Sequence, residues 1–126
     1  MINHSKIIHE KKTTDKQIIK LLDAMNFSKD KIGTIYIIDA MMLAINESDE
    51  YLLNLTGLLY PKIAENYGIN PKSVDRAIRT VIKDAFETIS PNTISDFLGN
   101  SFDNEKGYPT NSHFLMSLAE YIRYRL

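Results

Sequence analysis

Apolar residues recur along this chain at three- and four-residue intervals, the spacing of helices that bury one face. Thr14 to Gln17 has the spacing of a capping box, and Ile18, Ile19, Leu21, Leu22 and Met25 follow at helical intervals up to a stop at Asn26-Phe27-Ser28. A second segment, Ile35 to Ile45, is apolar nearly all round and is predicted to be the buried central helix. Its β-branched start could suggest a strand, but no partner strand appears anywhere in the chain. The acidic run Glu47-Ser48-Asp49-Glu50 reads as a solvated helix start before a helix over 51–59. A short helix follows Pro91, with Ile94, Phe97 and Leu98 inward and Gly99 as its stop. Thr110 or Asn111 caps the last helix, whose Phe114, Leu115, Leu118, Ala119 and Ile122 face inward. Arg123 and Arg125 end it, either serving the helix dipole or touching phosphate. The expected fold is all-α, a compact bundle of about six helices over 15–126, with 1–14 as a flexible leader or linker remnant.

Between these segments, residues 60 to 86 predict a helix-turn-helix. The first helix runs from Pro61 to Tyr67, with Ile63 and Tyr67 sharing a face and Ala64 small where a second helix crosses. Gly68 supplies the positive φ of the turn, and Ile69 is expected to plug the corner. Asn70-Pro71 then combines a preferred N-cap with a proline at the first helical position. Laid out at 100° per residue, Arg76, Arg79 and Lys83 fall within about 40° of Lys72. Val74, Ala77, Ile78, Val81, Ile82 and Ala85 occupy the opposite side, with Val74 and Ala77 expected to face Ala64. An ordinary solvated helix has such a stripe too, but combined with the turn it fits a helix made for the major groove of DNA.

Composition narrows the class. At 126 residues and 44% hydrophobic, the chain can bury one core. There is no cysteine, hence no disulfide framework and no thiolate metal site, in keeping with a reducing, cytoplasmic setting. No apolar run approaches the ~20 residues of a membrane span. A net charge of −1 is low for a DNA-binding domain, so positive charge must be concentrated on one face.

The stretches Leu59-Tyr60-Pro61-Lys62-Ile63-Ala64 and Ser73-Val74-Asp75-Arg76-Ala77-Ile78-Arg79, with Pro109-Thr110-Asn111-Ser112-His113-Phe114, carry a resemblance. They are similar to the DNA-binding effector domain of the stage-zero sporulation protein A family, the response regulators of endospore formation in Firmicutes. The similarity covers roughly residues 15 to 126. It implies an all-α domain of about six helices that binds short asymmetric DNA boxes, often in tandem or as dimers, and activates or represses transcription. It also implies a contact with the RNA polymerase sigma subunit at Thr93, Leu98 and Phe102, two of which a plain core reading explains as well. The family pattern has Arg, Glu and His where this chain has Ser73, Asp75 and Thr80, an Arg near Ile38, and about one residue fewer between Asn46 and Thr56. Family members also carry a phosphoacceptor receiver domain. This sequence holds none, as an isolated effector half or as a receiver-less relative.

Arg76 is the best candidate for a bidentate contact to a guanine edge. Lys72, Ser73 and Asp75 lie near enough to the helix start to contribute, Asp75 by accepting from a cytosine amino group. Arg79, Thr80 and Lys83 lie further along and suit phosphates. The expected partner is double-stranded DNA, with no membrane, metal or cofactor. His4, His9 and His113 are scattered, and there is no glycine-rich phosphate loop or serine elbow, so nothing points to an enzyme. The competing reading is a helical protein-interaction module that has lost DNA binding, which Ser73 and Thr80 leave open.

Overall fold

The computed structural model describes residues 13–99 and 107–125, and these are all helix and connection. In chain order the elements are α1 (Asp15–Ala24), α2 (Ile32–Asn46), α3 (Glu50–Leu53), a π-helical turn (Leu55–Leu59), α4 (Tyr60–Tyr67), α5 (Pro71–Phe86), α6 (Pro91–Leu98) and α7 (Asn111–Arg125). The all-α fold expected from the periodicity is what forms, with seven α-helices among the described residues. Most of the leader expected over 1–14 lies outside them.

Local chemistry sets the boundaries. The capping box of α1 is present: Thr14 Oγ1 accepts from the Gln17 amide, and Gln17 Oε1 accepts from the Thr14 amide at 2.9 Å. Asn26 takes a left-handed φ of 69° and turns the chain toward α2. The helix expected over 51–59 is broken in two. Asn54 leaves the helical region at φ −146°, and its side chain accepts from the Gly57 amide at 2.9 Å, starting the π turn anew. That local side-chain bond competes with the helical ladder, which apolar periodicity does not register.

The apolar α2 is the central helix, packing α5 on one side and α7 on another. Tyr36, Ile37, Ala40, Met41, Leu43 and Ala44 are buried along it. Gly33 marks its closest approach to α5: a Cβ there would lie 2.2 Å from the Ala77 carbonyl oxygen. The crossing is therefore one of backbone against side chain-free backbone. Phe114 of α7 anchors the far end, with ring centroids 5.1 Å from Phe27, 5.5 Å from Phe97 and 6.2 Å from Phe86. Ile63, Val74, Ile78, Ile82, Leu115 and Leu118 are all fully enclosed. Each such side chain contributes about 1.5–3 kcal/mol of apolar burial, which fixes the outer face of α5 by fixing its inner one.

Candidate nucleic-acid interface

The helix-turn-helix is α4, a three-residue turn and α5. Gly68 sits at φ 64°, ψ 38°, the left-handed cap that ends α4, and its φ suits glycine. The Ile69 amide donates to the Ala64 carbonyl at 3.1 Å. That bond closes the cap and leaves the Ile69 side chain exposed, so Ile69 does not plug the corner as expected. Asn70 caps α5, its side chain accepting from the Lys72 amide at 2.8 Å, with Pro71 next. Ala64 is buried where expected, whereas Ala77 is only half-buried and lies against Gly33 of α2. Tyr67 donates its hydroxyl to Asp39 of α2 at 2.5 Å and stands edge-on to Tyr36. The bond to Asp39, with some burial, pushes the Tyr67 hydroxyl up to about 12. Burial raises the Asp39 carboxyl, partly offset by that bond.

Lys72, Ser73, Arg76, Arg79, Thr80 and Lys83 are all exposed on α5. From Lys72 to Lys83 the stripe spans about 16 Å at 1.5 Å per residue, three turns of helix. Lys72, Arg76 and Lys83 have no ion pair among the described residues. Arg79 differs, because its Nη2 donates to both Asp75 oxygens at 2.8 Å. Asp75 in turn accepts from Asn111 of α7 at 2.9 Å. Its carboxylate is therefore already engaged on two sides.

Two clefts flank the stripe. One, of about 380 Å³, runs between Ser73, Arg76 and Thr80 on α5 and Lys31, Ile32 and Gly33 at the start of α2. The other, of about 250 Å³, lies between Asp75 and Arg79 on α5 and the segment Tyr108 to Ser112 at the start of α7. The N-termini of α2 and α7 thus border α5, adding their positive dipole ends to its cations. At the first cleft Lys31 is paired with Asp84 at 3.5 Å, so the unpaired cations of this face come from α5 itself among the described residues. Lys31, Ile32 and Asn111 are the neighbours that sequence reasoning missed as part of this face. Ile32-Gly33 was visible only as the lead-in to an apolar helix, and Asn111 only as a possible cap.

The remaining expected sites lie elsewhere. Thr93 belongs to the cap of α6, its hydroxyl 2.7 Å from that of Ser90, and Leu98 is buried. Phe102 lies outside the described residues. Both terminal arginines have partners within the fold: Arg123 is bonded to Asp49 and to the Ala44 carbonyl, and Arg125 to Asp96 at 3.1 Å. No group of three or more His, Asp or Glu that could hold a metal occurs among the described residues. No helix among them is long and apolar enough to cross a membrane. Compared with known families, residues 18–122 match the model described as "Sporulation initiation factor Spo0A C terminal".

Proposed function

Because this chain belongs to the family of Spo0A C-terminal domains, a DNA-binding regulatory family and not an enzyme family, we propose that it is a sequence-specific DNA-binding regulator of transcription. Residues 15–126 act as the effector unit, in the cytoplasm. The observation that supports this best is the outer face of α5, where Lys72, Arg76 and Lys83 project along a capped helix without an ion pair among the described residues. Helix α5 enters the major groove N-terminus first. Arg76 reads a guanine edge, Lys72, Ser73 and Asp75 contribute near the helix start, and Arg79, Thr80 and Lys83 hold phosphates. Asp75, engaged by Arg79 and Asn111, has the least freedom to reach a base.

One such module makes a small interface, so tandem or dimeric binding on adjacent boxes raises the affinity. Contact with the polymerase sigma subunit through α6 and the segment after it belongs to the same proposal. There, buried Leu98 acts by holding α6 in place. Leu53 and Tyr124, 75% and 79% exposed, favour a second reading, the protein-interaction module.

Selection from a random duplex library, followed by salt titration on the winning sequence, separates the two. The DNA reading expects a selected motif and a slope of about −0.9 in log K against log salt for each phosphate contact. Failure to bind any duplex at about 50 mM salt, where electrostatic contacts are strongest, overturns it in favour of the protein partner.

A further inference from the structure

The segment Pro109-Thr110-Asn111-Ser112-His113-Phe114 has so far been given no task of its own at the DNA-reading face. Its asparagine is tied directly to that face. Asn111 opens α7 and is only 8% exposed. Its Nδ2 donates to the Tyr60 hydroxyl at 3.0 Å, to the Asp75 carbonyl at 3.1 Å and to Asp75 Oδ1 at 2.9 Å. Asp75 Oδ1 and Oδ2 then each accept from Arg79 Nη2 at 2.8 Å. A chain of polar contacts thus runs outward from the core. The Asp75 side chain is 33% exposed and that of Arg79 52%.

We propose that Asn111 is a positioning residue for DNA recognition. Acting through Asp75, it sets the direction in which Arg79 offers its remaining donors. The proposal rests on the DNA-binding reading and goes beyond it. An exposed carboxylate and guanidinium four residues apart on one helix hold each other weakly and exchange rotamers. A third bond to the same carboxylate, from a buried amide on another helix, removes that freedom. The guanidinium is rigid and planar, so committing Nη2 to Asp75 orients Nη1 and Nε together. An arginine fixed in this way holds its phosphate in one geometry and so fixes the register in which Arg76 meets its base edge, whereas a free one lets that register drift and discrimination falls. The Tyr60 hydroxyl, which accepts from Asn111 and ties α7 to α4, also lies beside Asp75, so it belongs to the same polar network.

Three measurements test the role. In the free wild-type protein, ¹⁵N relaxation of the arginine side chains should show Arg79 Nε–H ordered and Arg76 Nε–H mobile; equal mobility would overturn the proposal without any duplex present. On the library-selected duplex and a scrambled one, Asn111→Ala should lower the ratio of affinities about tenfold, equivalent to about 1.4 kcal/mol. In an Arg79→Ala background, Asn111→Ala should change the ratio no further. A ratio unmoved by Asn111→Ala, or one that falls equally without Arg79, overturns the positioning role alone. A wild-type chain that binds no duplex overturns the DNA reading and this proposal together. If Asn111→Ala does not fold, the relaxation result decides.

Discussion

Helices α5 and α7 look alike as sequences and behave differently as surfaces. Each is amphipathic, each is 15 or 16 residues long, and each carries arginines on its outer side. On α7, Arg123 and Arg125 are occupied by Asp49 and Asp96, carboxylates supplied by the α2–α3 connection and by α6. On α5, Lys72, Arg76 and Lys83 meet no such partner among the described residues, and Arg79 meets only one from its own helix. Whether a cation is available to a ligand is thus settled by acids that arrive from elsewhere in the fold. The α7 arginines close the bundle, and the α5 cations remain for something outside it.

The largest effect expected is on the frame that holds α5. Gly33→Ala would push a methyl group into the Ala77 carbonyl, backbone that cannot swing aside. It should destabilise the fold by about 3 kcal/mol, the upper end for overpacking, visible as a lowered urea midpoint. An unchanged midpoint would mean that α2 and α5 lie further apart than described. Next comes Arg76→Ala, expected to cost ~1–3 kcal/mol on the selected duplex and to flatten preference at one base pair. Competition binding checks this, and equal losses on selected and scrambled duplexes would move Arg76 to a phosphate.

A paired experiment puts the two helices against each other. Lys83→Ala should reduce the salt slope by about one unit and leave the melting temperature in place. Arg123→Ala should do the reverse, costing about 0.2–1 kcal/mol of stability, the range for a partly exposed ion pair, with duplex affinity unchanged. Loss of duplex affinity in Arg123→Ala would erase the distinction between the helices. The smallest effect concerns Asp39. Burial raises its carboxyl above the ordinary 3.8, so the folded protein holds that proton more tightly than the unfolded chain does. The stability this lends is complete below 3.8 and is lost as pH rises through the raised value. Asp39→Asn keeps an acceptor for Tyr67 and should gain on wild type over that rise; denaturant melts at several pH values would show it.

Much of this was legible in the residues. The capping box at Thr14, the Asn70-Pro71 start, Gly68 at the turn and the apolar side of α5 are local signals whose causes lie within a few residues, and each forms as expected. What escaped was non-local. Nothing near Gly33 announces that Ala77 lies against it, and nothing near Asn111 announces Asp75, which is 36 residues away. The fate of Arg123 and Arg125 depended on acids just as remote. Two local errors have a different origin. Asn54 broke a helix because its side chain satisfied a backbone amide, and Ile69 faced outward because its amide, not its side chain, closes the turn.

The glycine crossing at Gly33 has a consequence for how this domain can diverge. It seats α5 through backbone atoms and buried aliphatic side chains, so none of the outward residues holds the helix in place there. Ser73, Asp75 and Thr80 all lie off the buried face of α5. Exchanging Ser73 or Thr80 changes what α5 presents outward and leaves its seat where it was, whereas Asp75 is tied to α7 through Asn111. On the proposed reading, single substitutions at such outward positions shift the preferred target at little risk to folding.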